Sequence, residues 1–244
     1  MDVNTIIKLI SGITNFNTKR TLEIIEAGEL GGASYIDIAA DVVRFVLARL
    51  KTNFPICIST INSYKINACI DEGVDMVEIG NFDFLYNKNQ KLNTYKILQL
   101  CHYVRNQFPN LLLCATVPHV LSLSNQISLA KAYELIGIDL IQTEGKNFGT
   151  NLSSNIDINA RLKEVSLTLS TTLANSVKLP VITSSGLSNV TAPLAIRYGA
   201  SGVGIGSAII THKNIDEMSI AIKNLKLNLL NENSLLKENK VDFN

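Results

Sequence analysis

Gly199-Ala200-Ser201-Gly202-Val203-Gly204-Ile205-Gly206 is the last of four copies of one phrase: a helix-ending glycine, a short spacer with a small polar residue, then an apolar strand. The earlier copies are Gly32-Ala33-Ser34-Tyr35-Ile36-Asp37-Ile38-Ala39, Gly73-Val74-Asp75-Met76-Val77-Glu78-Ile79-Gly80 and Gly137-Ile138-Asp139-Leu140-Ile141-Gln142-Thr143-Glu144. A glycine that lets the chain leave a helix, followed at once by a strand, is the junction of an α/β repeat. Between the copies lie further strand candidates at 6–11, 55–59, 111–116 and 180–184. Helical periodicity marks 18–29, 41–51, 63–72, 93–107, 123–136, 158–178, 189–198 and 213–230. Strands alternating with helices imply right-handed βαβ units and a parallel sheet. The expected fold is α/β, a single (β/α)8 TIM barrel, and the 244 residues lie close to the roughly 250 typical of one.

Composition agrees with one large core. Hydrophobic residues make up 46% and charged residues 18%, and the formal net charge of +1 leaves no basic footprint for nucleic acid. The longest stretch free of acidic or basic residues, 106–130, contains Pro109, Pro118, His119 and several serines. It is too polar for a membrane span, so no membrane partner is expected. The chain opens Met1-Asp2-Val3-Asn4 and is strand-like by Ile6. That leaves no room for a targeting segment, and the chain is expected to act where it is made. Cys57, Cys69, Cys101 and Cys114 lack C-x-x-C spacing and read as reduced structural thiols. Residues 1–230 form the expected barrel; 231–244 are polar and expected to fray. Ser188 is the expected N-cap of the helix at 189–198, with Pro193 in its first turns.

Superposing the four phrases sorts side chains by face. Ile36, Val77, Ile141 and Val203, then Ile38, Ile79, Thr143 and Ile205, form an apolar side suited to the helix layer. The alternate side carries Tyr35, Met76, Leu140 and Gly202, then Asp37, Glu78, Gln142 and Gly204, then Ala39, Gly80, Glu144 and Gly206. Carboxylates turned under helices without partners are costly. Asp37, Glu78, Gln142 and Glu144 are therefore expected to converge on the barrel mouth, where barrels hold their active sites. Lys8 belongs inside with them, because Ile7 and Leu9 suit the helix layer. Alternation adds Cys57 and Ser59, Cys114 and Thr116, and Ile182 and Ser184. A lysine among carboxylates is either a catalytic group or part of an ion-pair network that fills the barrel, and both readings stay open.

Two glycine-bearing turns end the last two strands: Ile182-Thr183-Ser184-Ser185-Gly186-Leu187 and Gly202-Val203-Gly204-Ile205-Gly206-Ser207-Ala208. Backbone N–H groups approach a phosphate closely only where β-carbons do not intervene. Ser185, Gly186, Gly206 and Ser207 are the expected phosphate ligands, and a bulkier residue at Gly206 is expected to block the anion. Ser59, Thr116, Gln142 and Ser184 are the expected substrate-binding groups. His119, after Pro118 in the loop following the fifth strand, suits proton transfer near neutrality or a structural role in that loop. Asp37, Glu78 and Glu144 have the chemistry for a divalent cation, but no compact ligand spacing demands one, and no metal is expected. The loops 81–86 and 145–155 are candidate lids over a ligand, with Phe82, Phe84 and Tyr86 alternatively forming a local cluster.

Several of these phrases carry a family resemblance. Ile10-Ser11-Gly12-Ile13-Thr14-Asn15-Phe16, residues 31–41, Asp75-Met76-Val77-Glu78-Ile79-Gly80-Asn81-Phe82-Asp83, Thr116-Val117-Pro118-His119, Ile141-Gln142-Thr143-Glu144-Gly145 and residues 180–207 resemble the plastid and cyanobacterial family called hypothetical chloroplast reading frame twenty-three. The resemblance covers nearly the whole chain. It implies a barrel of the ribulose-phosphate-binding type and a plastid location in the stroma, and it brings no established activity. A plastid genome also accounts for the abundance of Asn, Ile, Lys and Leu. Lys146-Asn147-Phe148 stand where smaller residues are expected. Ser185 replaces the first glycine of the usual Ser-Gly-Gly phosphate turn, which implies a wider or weaker anion site.

The expectation is a barrel that binds a phosphorylated small molecule, as an isomerase, lyase or aldolase-type enzyme. Lys8, Asp37, Glu78, His119 and Glu144 are the catalytic candidates. Glu78, Asp37 or Glu144 would exchange protons, and Lys8 would stabilise developing negative charge or form a Schiff base. Two alternatives stand beside it: an FMN-binding oxidoreductase whose flavin phosphate uses the same cradle, and a non-catalytic metabolite-binding barrel. A homo-oligomer is compatible with the sequence.

Overall fold

The computed structural model describes residues 5–12, 17–80, 82, 92–144, 167 and 169–241. Eight strands, β1 (Ile6–Ile10), β2 (Tyr35–Ala39), β3 (Ile56–Ser59), β4 (Met76–Ile79), β5 (Leu112–Val117), β6 (Leu140–Thr143), β7 (Val181–Ser184) and β8 (Gly202–Ile205), pair in chain order. Each neighbouring pair is parallel, and β8 returns to pair with β1 and close the barrel. Around it lie α1 (Thr18–Gly31), α2 (Val42–Arg49), α3 (Ser63–Asp71), α4 (Thr94–Gln107), α5 (Leu123–Ile136), α6 (Ala192–Arg197), α7 (Ser207–Ile210) and α8 (Ile215–Val241). Residues 169–176, before β7, are also helical. The chain is thus a (β/α)8 barrel.

Local chemistry sets the helix starts. Asn17, Asp41, Asn62, Asn93 and Ser122 each sit in an extended conformation and accept a hydrogen bond from an amide in the first turn. Gly32 and Gly137 end α1 and α5 at φ 77° and 87°, the left-handed exit that the repeated phrase anticipates. The helix before β8 departs from expectation. It begins at Ala192, and Ser188 builds the preceding turn instead of capping it, its hydroxyl accepting from the Thr191 amide.

The strand faces separate as alternation requires. Ile7, Leu9, Ile36, Ile38, Val77, Ile79, Ile141, Val203 and Ile205 join the large core between barrel and helices. Tyr35, Cys57, Met76, Cys114 and Leu140 form a second, smaller cluster inside the barrel floor. All four cysteines are buried and free. Burial pushes the Cys69 thiol up to about 11 and the Cys101 thiol up to about 12, which keeps both protonated and inert.

The stretch from 231 was expected to fray, yet α8 runs on to Val241. Its apolar stripe of Met218, Ile222, Leu225 and Leu229 is buried, and in the next turn Glu232 accepts from Arg197 Nε at 2.7 Å. Charged residues at helical spacing read as a tail when their partner on another helix is not visible. Among the described residues no helix is long and apolar enough to cross a membrane.

Candidate active site in the barrel mouth

Lys8 projects from the middle of β1 into the barrel and is wholly buried. Its Nζ donates to Glu78 Oε2 at 2.5 Å and to Gln142 Oε1 at 2.8 Å, and pairs with Asp37 Oδ2 at 2.8 Å. Three strands thereby place their partners around one ammonium. Glu78 Oε1 in turn accepts from Thr116 Oγ1 at 3.0 Å and Gln142 Nε2 at 3.1 Å, while Asp37 Oδ1 accepts from Ser59 Oγ at 2.6 Å. Register explains the assembly: Ser59 stands beside Glu78, and Thr116 beside Gln142.

Burial opposes the charge on Lys8, but the Asp37 and Glu78 carboxylates together outweigh it and hold its pKa well above the ordinary value. With its three N–H donors spent, Lys8 is a fixed ammonium. Asp37 is pushed the other way. Burial raises its carboxyl above the usual range, against the pull of Lys8 and with the added repulsion of Glu78. The trio therefore holds one cation against two carboxylates, and burial makes Asp37 easier to protonate than an ordinary carboxyl.

Above this network opens a cavity of about 230 Å³. Asp37, Ser59, Glu78, Thr116, Gln142 and Glu144 line one part of its wall, and Ser184, Ser185, Gly186, Gly206 and Ser207 line another. Every candidate site residue except Lys8 and His119 reaches the cavity directly. Lys8 lies beneath it. His119 packs against Glu144: its Nδ1 lies 2.9 Å from Glu144 Oε2, which also accepts from the His119 backbone amide at 3.1 Å. The histidine thus reaches the cavity through its partner.

The two turns differ in backbone chemistry. Ser185 and Gly186 both take positive φ, 80° and 68°, and Ser185 is the one non-glycine residue to do so among the described residues. Such a conformation costs a side-chain-bearing residue about 1 kcal/mol or more. The amides of Gly186 and Leu187, and that of Ser207 at the start of α7, have no hydrogen-bond acceptor among the described residues. A β-carbon on Gly206 would lie 3.2 Å from the Ile10 carbonyl oxygen, so a larger residue there would press on β1 as well as on the cavity that Gly206 lines.

Two further residues shape the wall. A β-carbon on Gly80 would lie 2.4 Å from Thr116 Oγ1 and 2.8 Å from Glu78 Oε1, so the missing side chain makes room for the carboxylate network. Ile10, two residues beyond Lys8 on the inward face, supplies apolar wall. The loop 81–86, apart from the buried Phe82, and the loop 145–155 lie outside the described residues. Among the described residues no group of His, Cys, Asp and Glu side chains is placed to hold a metal ion.

Residues 1–235 match the family described as "Protein of unknown function (DUF561)". The "Uncharacterized protein ycf23" of Cyanophora paradoxa is 40% identical over 230 residues, covering 93% of this chain and 90% of that protein. Its counterpart in Porphyra purpurea is 35% identical over 223 residues, 91% and 83% of the two chains. The ycf designation is that of chloroplast reading frames and implies a plastid location. Among solved structures, "QR15, an Aldolase" superposes with a TM-score of 0.65 at 17% identity, covering 94% of this chain and 99% of that one. A thiamine phosphate pyrophosphorylase from Pyrococcus furiosus gives 0.61 at 18% identity, covering 94% and 98%. At such identities the likeness concerns the fold.

Proposed function

The chain belongs to the DUF561 family, and from the geometry of its barrel mouth we propose that it binds a phosphorylated small molecule and moves protons on it, as an isomerase, lyase or aldolase-type enzyme of the plastid stroma. One observation carries the reading: both glycine-bearing turns and the carboxylate network open into the same cavity. Phosphate at the turns, held by the amides of Gly186, Leu187 and Ser207, would anchor the ligand away from its reacting carbons. Anchoring of that kind is converted into rate by positioning. Barrels commonly bind phosphate beside their last two strands, which supports the same placement.

The reacting end would meet Asp37. A carboxyl whose pKa is raised by burial both accepts and returns a proton near neutrality more readily than an ordinary one. Lys8 would stabilise negative charge developing beside it. Its role is electrostatic, because an ammonium with every N–H engaged has no lone pair for Schiff-base formation. The Glu144–His119 pair would form a second proton station on the wall, with Glu144 facing the ligand.

Calorimetric titration with inorganic phosphate tests the cradle. Ser207→Pro removes one amide proton at the first position of α7, where proline fits a helix. We expect phosphate affinity to fall about tenfold, the loss of one charge-assisted hydrogen bond, with thermal stability retained. Equal affinity in both proteins would refute the assignment.

A further inference from the structure

We propose that the ligand is a phosphate monoester whose carbon body carries hydrogen-bond donors, hydroxyl or ammonium, and no second anionic group. This rests on the reading above, that a phosphorylated molecule fills the cavity, and it adds what the rest of that molecule must be.

The direction of the hydrogen bonds along the wall carries the inference. Ser59 gives its hydroxyl proton to Asp37 at 2.6 Å, Thr116 gives its own to Glu78 at 3.0 Å, and Ser184 gives its own to the Thr143 carbonyl at 2.7 Å. A hydroxyl has a single proton. The Ser59 and Thr116 hydroxyls therefore turn only lone pairs toward the cavity. The carboxylates of Asp37 and Glu78 add further acceptors. Lys8, the cation of the network, is wholly buried with its donors engaged. Away from the phosphate turns, the side-chain donor left on this wall among the described residues is the second amide proton of Gln142, whose first goes to Glu78.

A wall of acceptors selects its ligand by what the ligand lacks. A body bearing only carbonyl or carboxylate oxygens would face lone pairs with lone pairs and leave desolvated acceptors unpaired. Among the described residues, a second anion would also sit beside the Asp37 and Glu78 carboxylates, whose shared cation, Lys8, is buried beneath them. Hydroxyl groups or an ammonium satisfy the same atoms directly. The phosphate turns are the complementary half, because their amides offer donors to the single anionic group.

Calorimetric titration with a matched set of small phosphate monoesters tests this: glycerol 3-phosphate, phosphoethanolamine, propyl phosphate and phosphoglycolate, with inorganic phosphate as reference. We expect glycerol 3-phosphate or phosphoethanolamine to bind about tenfold or more tighter than propyl phosphate, and phosphoglycolate to bind most weakly. The order of the first two assigns the donor as hydroxyl or ammonium. Asp37→Asn, which replaces an acceptor oxygen with an amide, should narrow the gap between glycerol 3-phosphate and phosphoglycolate. If inorganic phosphate binds and responds to Ser207→Pro, yet propyl phosphate or phosphoglycolate equals or exceeds the donor-bearing esters, the inference fails while the phosphate site stands. An unchanged gap in Asp37→Asn also counts against it. If neither inorganic phosphate nor any ester binds, the phosphate reading itself fails and this inference with it.

Discussion

Two halves of the barrel interior, built from the same strands, differ in almost every physical respect. In the floor, Tyr35, Cys57, Met76, Cys114 and Leu140 pack as a small apolar cluster. Two residues further along each of those strands stand Asp37, Ser59, Glu78, Thr116 and Gln142, joined through Lys8 and lining the cavity. A step of two keeps a side chain on the same face of the sheet. The change from packing to polarity is therefore a choice of residue, with no change of fold. Closure of the barrel does not need the polar layer, since buried ion pairs contribute little net stability compared with packed apolar groups. That contrast is what the proposed function requires of the mouth.

The contrast is broken most severely at Lys8. Lys8→Met leaves Asp37 and Glu78 buried beside each other without their cation, and removal of one partner from a buried pair costs about 3 to 5 kcal/mol. Urea unfolding should register that loss. Restoring most of it with the added changes Asp37→Asn and Glu78→Gln would locate the penalty in the uncompensated charges; a mild effect of Lys8→Met alone would mean that the network is more hydrated than its burial implies.

A smaller effect comes from Asp37 and pH. Its folded carboxyl binds a proton more tightly than the unfolded one, having been raised from the ordinary value of 3.8. Through the window just above 3.8 the folded state therefore holds more protons, and stability falls as pH rises. The stability of the wild-type chain relative to Asp37→Asn should decline across that window. A rise would show that the pull of Lys8 dominates over burial.

The mildest change sharpens the other half. The Tyr35 hydroxyl lies buried in the floor without a hydrogen-bond partner among the described residues, a defect that an apolar cluster does not require. Tyr35→Phe should be neutral or stabilise the fold by about 1 kcal/mol. Clear destabilisation would mean that the floor, too, holds a polar function.

Much of this was legible in the chain. The glycine-strand phrase announced the barrel because left-handed helix exits and apolar strands are local signals, and inward placement of Lys8, Asp37, Glu78 and Gln142 followed from alternation alone. What escaped was non-local or depended on conformation. The pairing of His119 with Glu144 joins loops after different strands, 25 residues apart. The extension of α8 past 230 brings Glu232 against Arg197 on another helix. The positive φ of Ser185 runs against the residue's own preference, so no propensity announces it. Alternation turns Gly80 inward, but only the packed structure shows that any side chain there would displace Glu78 or Thr116.

The most direct measurement is a crystal structure of the chain grown or soaked with inorganic phosphate. The account predicts the anion between the turn at Ser185 and Gly186 and the turn at Gly206 and Ser207, accepting from backbone amides, with Lys8 still enclosed by Asp37, Glu78 and Gln142. Phosphate bound instead to Lys8 after that enclosure opens, or found only elsewhere on the protein while the two turns stay vacant, would contradict it.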